Sequence, residues 1–122
     1  MAAAGKLVLV VDDDPSIRLL CRINLELGGY AVAEAETLAQ ARAVLAEGGV
    51  RAVLLDLRLG ADDGLALLRE LRAGGSDLPV ALLTGRDGLD GEADGLAHAI
   101  LAKPFHLDEL SSTVELLTAR ER

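Results

Sequence analysis

At 122 residues the chain is long enough to bury roughly two thirds of its unfolded surface, so neither a metal nor a disulfide is needed to hold a core together. A net charge of −8, from 20 acids against 12 bases with no Lys/Arg cluster, argues against direct nucleic-acid binding, and the lone Cys21 excludes an intramolecular disulfide and fits a reducing compartment. No apolar run reaches the roughly 18 residues of a membrane span and MAAAGK lacks the apolar core of a signal peptide, so the expectation is a cytoplasmic protein without a membrane partner: a single domain over 1–122, its first five residues a disordered tail.

Leu7 to Val11 (LVLVV) is a continuous, β-branched apolar run, the pattern of a strand buried on both faces. Asp12, Asp13 and Asp14 close it. Asp14 is placed to cap a helix that opens on Pro15, in which Ile17, Leu20, Cys21 and Leu27 are predicted to share an inward face up to Gly28-Gly29. Tyr30 to Ala35 alternates more and reads as a strand nearer the sheet edge. Thr37 caps a second helix over Leu38, Ala41, Val44 and Leu45, ending at Gly48-Gly49.

Ala52 to Leu55 forms a third strand, with Asp56 where it runs out. Asp63 caps a third helix carrying Leu65, Leu67, Leu68 and Leu71. Pro79 to Leu83 is a fourth strand ending at Thr84, and Ala99 to Ala102 a fifth ending at Lys103-Pro104. The last helix is expected from about Leu107 to Arg120, with Leu107, Leu110, Val114 and Leu117 at helical spacing. Between Gly85 and His98 four glycines, each worth about 1 kcal/mol against a helix interior, make the fourth helix short or irregular.

Strict βα alternation implies a doubly wound α/β fold, a parallel sheet covered by helices on both faces. The common flavodoxin-like strand order 2-1-3-4-5 sets strand 1 beside strand 3 at the switch point, where ligands bind beyond the strands' carboxyl ends. Asp12 and Asp13 then meet Asp56 across strands about 4.8 Å apart, and the neighbouring strands bring Thr84 and Lys103 to the same edge. Three crowded carboxylates repel unless a hard cation such as Mg²⁺ intervenes, while a lysine and a hydroxyl suit a phosphoryl group. The chemistry expected is Mg²⁺-assisted phosphoryl transfer onto a carboxylate. Lysine is used only at positions 6 and 103, against ten arginines, so the ammonium at that strand end is not a compositional habit.

These residues resemble the receiver domains of two-component response regulators (CheY-like) over nearly the whole chain. VVDDDP matches the family's acidic pair at Asp12 and Asp13, LLDLRLGADDG its phosphoacceptor segment at Asp56, LLTG its threonine at Thr84, and AKPF its Lys-Pro at Lys103 and Pro104. The resemblance implies a histidine kinase or phosphotransfer protein that passes a phosphoryl group to Asp56, and an output partner or fused effector domain of unknown kind. It implies that Asp13, Asp56 and the backbone carbonyl of Arg58 hold Mg²⁺, or Mn²⁺ in its place, with Asp12 supporting through water. Lys103 would neutralise the acyl phosphate, Thr84 would close over it, and a cis bond would precede Pro104. The domain would be regulatory rather than an enzyme, with self-catalysed phosphotransfer and slow autodephosphorylation.

Three departures from that family pattern bear on output. Gly60 stands where proline is usual, which predicts a looser loop; Ile100 replaces the switch aromatic; and the stretch from Thr84 to Lys103 is shorter by about one helical turn. Arg58 and Arg86, each two residues past a site residue, are expected to flank the phosphoryl group and shield it from water. Two other readings stay open: a degenerate receiver acting as a phosphorylation-independent docking module, and a small phosphatase with an aspartyl intermediate. The phosphatase would need a second acid just beyond Asp56, where Arg58 stands.

Overall fold

The computed structural model describes residues 5–60, 62–85 and 95–119. Seven strands and four helices are seen among them: β1 (Leu7–Val11), α1 (Pro15–Leu27), β2 (Ala31–Ala35), α2 (Leu38–Glu47), β3 (Val50–Asp56), β4 (Arg58–Leu59), β5 (Asp62–Asp63), α3 (Gly64–Ala73), β6 (Val80–Thr84), β7 (Ala99–Ala102) and α4 (Leu107–Ala119). Five of the strands form one parallel sheet in the order β2-β1-β3-β6-β7, the doubly wound order expected from the alternation. The 86–94 part of the glycine-rich stretch, on which the expectation of a short fourth helix and the place of Arg86 rest, lies outside the described residues, as do positions 1–4 of the expected tail.

The period of two along each strand divides the interior into two cores. Leu9, Val11, Val53, Leu55, Val80 and Leu82 point to one face and pack against Leu38 and Ala41 of α2 and Leu65, Leu67 and Leu68 of α3. Val8, Val10, Ala52, Leu54, Ala81 and Leu83 point to the other and meet Cys21 and Leu25 of α1 and Leu110, Val114 and Leu117 of α4. Burial on both faces explains why these strands read as unbroken apolar runs. It also pushes the Cys21 thiol up to about 12, so this cysteine is a core residue, inert at neutral pH.

The helix starts follow the sequence. Asp14 Oδ1 accepts from Ser16 N at 2.8 Å, Thr37 Oγ1 from Gln40 N at 3.1 Å and Asp63 Oδ1 from Leu65 N at 3.0 Å, each satisfying an orphan donor of the first turn. Two assignments need correction. In α1 the buried residues are Cys21 and Leu25, whereas Leu20 and Leu27, expected to face inward, are 40% and 83% exposed. Ile17, Cys21 and Leu25 advance in steps of four along one ridge, and Leu20 and Leu27 fall about 100–120° round the helix from its midline. Leu107 in α4 is likewise exposed at the helix start, and its neighbours Leu110 and Val114 carry the contact.

The pair β4–β5 was not foreseen. It is an antiparallel ladder joining Arg58 to Asp63 and Leu59 to Asp62, and it folds the chain straight back after Asp56. Among the described residues no helix is long and apolar enough to cross a membrane.

Candidate functional site

Register brings the site together. Val11 pairs with Leu55, Asp56 with Leu83 and Thr84 with Ala102, so the residues that follow or end four adjacent strands, Asp12, Asp56, Thr84 and Lys103, reach one edge. A cleft of about 420 Å³ opens there, lined by these four together with Asp13, Arg58 and Gly60 among others. Carboxylate oxygens of Asp12, Asp13 and Asp56 lie within 4.8 Å of one another, so the cluster can hold a metal ion. All the donors offered are hard oxygens, the set that suits Mg²⁺ rather than a soft metal.

Lys103 Nζ sits between two of the three acids, donating to Asp12 Oδ2 at 2.8 Å and to Asp56 Oδ2 at 3.2 Å. Asp12 is fully buried; its other oxygen accepts from Asp14 N at 2.9 Å. Burial pushes the Asp12 carboxyl above its ordinary value, against the pull of the Lys103 and Asp14 hydrogen bonds. For Lys103 burial opposes the charged form, but the Asp12 hydrogen bond and the fields of Asp12 and Asp56 outweigh it and the ammonium is raised. The lysine is therefore a fixed cation at the floor of an acidic cleft.

Asp56 lies at the end of β3, 7% exposed, and its Oδ1 accepts from Arg58 N at 3.0 Å. Thr84 is buried with its hydroxyl donating to Gly85 O at 3.1 Å, and its own carbonyl accepts from Lys103 N at 2.7 Å. The Lys103-Pro104 bond is cis. Asp13 is exposed at the rim, and Asp62 and Asp63 belong to the returning ladder, Asp63 as a helix cap. Ile100 is one-third exposed on β7, pairs with Leu82 and does not line the cleft.

Two glycines matter more than the sequence suggested. Gly60 has φ +60° and its N–H donates to Asp13 Oδ2 at 2.8 Å. A proline could supply neither that N–H nor that backbone angle, and at Gly60 itself the backbone is tied to Asp13. Gly64 enters α3 with its N–H on Leu57 O at 2.8 Å, and a Cβ there would collide with the backbone carbonyl oxygen of Asp56. The sequence signal for both was a glycine within ten residues of an acid that ends a strand.

A doubly wound parallel sheet with an acidic cluster and a lysine at its switch point places the protein among α/β domains that work at the carboxyl edge of the sheet. Residues 8–115 match the response regulator receiver domain family, and the chain belongs to it. It is 39% identical over 116 residues to response regulator MprA of Mycobacterium sp. (strain KMS), covering 93% of this chain and 50% of that protein, and 37% identical over 118 residues to MprA of Mycobacterium avium (strain 104). The chain thus spans about half the length of these curated relatives. The receiver domain of Francisella response regulator 1452 superposes with a TM-score of 0.87 at 28% identity, covering 97% of this chain and all of that one. Response regulator TrrA of Thermotoga maritima, solved in complex with Mg(2+)-BeF, gives 0.84 at 32% identity over 92% of this chain and 98% of its own.

Proposed function

We propose that residues 1–122 form one receiver domain that acts as the phosphoacceptor switch of a two-component phosphorelay, in the cytoplasm, with Asp56 accepting the phosphoryl group. The observation that carries this reading is Lys103 Nζ held between Asp12 and Asp56 beside a third carboxylate. In the transfer an Asp56 carboxylate oxygen attacks phosphorus, forming an O–P bond. The N–P bond to the donor histidine of a kinase or phosphotransfer protein breaks, and its electron pair stays on the imidazole nitrogen.

Asp13 and Asp56, with the Arg58 main-chain carbonyl, would hold Mg²⁺ or Mn²⁺, and Asp12 would support the ion through water. When bound, the cation supplies neutralisation of the negative charge that otherwise keeps a phosphoryl group out of an acidic cleft. The chain's own groups do the rest. Arg58 N holds Asp56 Oδ1 and Lys103 Nζ holds Oδ2, and together they fix the plane in which the carboxylate meets phosphorus. Lys103 exchanges part of its contact with Asp56 for the transferred group, and Thr84 turns its hydroxyl from Gly85 O towards a phosphoryl oxygen. Arg58, which lines the cleft, slows attack by water on the group, a role that Arg86 would share, so autodephosphorylation is slow.

Output goes to a partner or a fused effector domain, in keeping with relatives twice this length. Ile100 has no ring to swing, so the signal leaves through Thr84 and the segment after it. Incubation with Mg²⁺ and a small phosphodonor is expected to add the mass of one phosphoryl group, and Asp56→Asn to abolish the gain. A wild-type chain that gains no mass would instead support the docking-module reading.

A further inference from the structure

Arg18, on the second turn of α1, ties three parts of the protein. Its NH1 donates to the main-chain carbonyl oxygen of Asp12 at 2.7 Å, and its Nε donates to Glu34 Oε1 on β2 at 3.0 Å. Its side chain is 15% exposed. The Asp12 carbonyl is the first past the end of β1, where the ladder no longer supplies a partner, while the Asp12 N–H is already held by Ala35 O at 3.1 Å. The peptide unit linking Asp12 to Asp13 is therefore fixed on its carbonyl side by one side chain. That peptide decides where the Asp13 Cα, and with it the rim carboxylate, stands relative to Asp56.

We infer that Arg18, braced by Glu34, is a positioning residue for the acidic cluster: it fixes the Asp12–Asp13 peptide and thereby the geometry with which the cluster takes a divalent cation. This rests on the cation site proposed above, not on phosphoryl transfer to Asp56. A guanidinium is suited to the task because its planar fork presents two donors in fixed relation, one to the carboxylate that anchors it and one to the carbonyl it holds. Arg22 provides an internal control. It shares Glu34, donating Nε to Oε2 at 2.6 Å, and reaches Val32 O and Glu26, but it makes no contact with Asp12 among those described. Both arginines fasten α1 to β2; only Arg18 touches the acidic pair.

The test compares Mg²⁺ binding by titration calorimetry with stability by urea unfolding in the intact chain. Arg18→Met is expected to weaken Mg²⁺ binding about tenfold, the scale on which groups that orient metal ligands act. Phosphorylation at limiting Mg²⁺ should fall in parallel and recover at saturating Mg²⁺. Arg22→Met is expected to lower the urea midpoint while binding Mg²⁺ as the wild type does. Should Arg18→Met not fold, Arg18→Lys replaces it: one ammonium cannot hold both acceptors in the fork geometry, and Mg²⁺ affinity should still drop by about threefold or more relative to Arg22→Met. Equal Mg²⁺ affinities in the Arg18 and Arg22 variants would overturn the inference and leave Arg18 a fastening of α1 alone. A wild-type chain that binds Mg²⁺ but gains no phosphoryl mass overturns the phosphoacceptor reading and not this one; a wild-type chain that binds no Mg²⁺ overturns both.

Discussion

Gly64 has no room for a side chain, because a Cβ would run into the Asp56 carbonyl oxygen and the Leu57 backbone. Relief requires the turn after Asp56 to move, so Gly64→Ala should cost about 2–3 kcal/mol in urea unfolding and displace the acid it follows. Glu34 offers a pH-dependent counterpart. The Arg22 hydrogen bond first, and that of Arg18 after it, hold its carboxyl below the ordinary 4.5. A carboxylate with a lowered folded-state pKa contributes stability that is present above 4.5 and is lost as pH falls through the lowered value. Glu34→Gln should therefore reduce stability at neutral pH and narrow its gap to the wild type below 4.5; a gap that stays constant with pH would show that the ion pairs contribute nothing.

At the scale of elements, α1 shows how packing chooses one apolar stripe from several. It carries Leu19, Leu20, Ile23 and Leu27 on its exposed side and Cys21 and Leu25 against the sheet. Leu25→Ala should cost about 3 kcal/mol, the loss of a fully buried leucine with the cavity it leaves, whereas Leu27→Ala should stay within about 0.5 kcal/mol. Chemical denaturation of the two variants separates them directly. Composition around the helix could not make this distinction, because both faces are apolar and only contact with the sheet tells them apart. The ladder β4–β5 was hidden for a similar reason: two-residue strands carry no periodicity, and this one is defined by a return of the chain that Gly60 allows.

Across the whole molecule, the sheet order places the acids and the lysine on separate strands, so folding and site assembly are one event. A cation that binds only the assembled cluster must raise stability by linkage, by about 2.7 kcal/mol when its concentration is a hundredfold above its dissociation constant. The thermal midpoint should thus climb with Mg²⁺, and Asp13→Asn should remove most of the climb; a midpoint indifferent to Mg²⁺ in the wild type would argue against the cation site. The same linkage predicts no comparable response to a monovalent salt at matched ionic strength.

The sequence by itself determined the five strands of the parallel sheet, the caps of the first three helices and the sheet order, because apolar periodicity, Asp and Thr caps and paired glycines act over a few residues each. It also determined which residues would meet at the carboxyl edge, since strand order and strand ends are enough to place Asp12, Asp13, Asp56, Thr84 and Lys103 together. Only the tertiary structure decided that Lys103 bridges Asp12 and Asp56, that Gly60 binds Asp13, that Arg18 holds the Asp12 carbonyl and that α1 buries Leu25 rather than Leu27. Each of these joins residues far apart in the chain or selects between two chemically similar faces, and such choices are made by the packing of elements against one another, which local pattern does not encode.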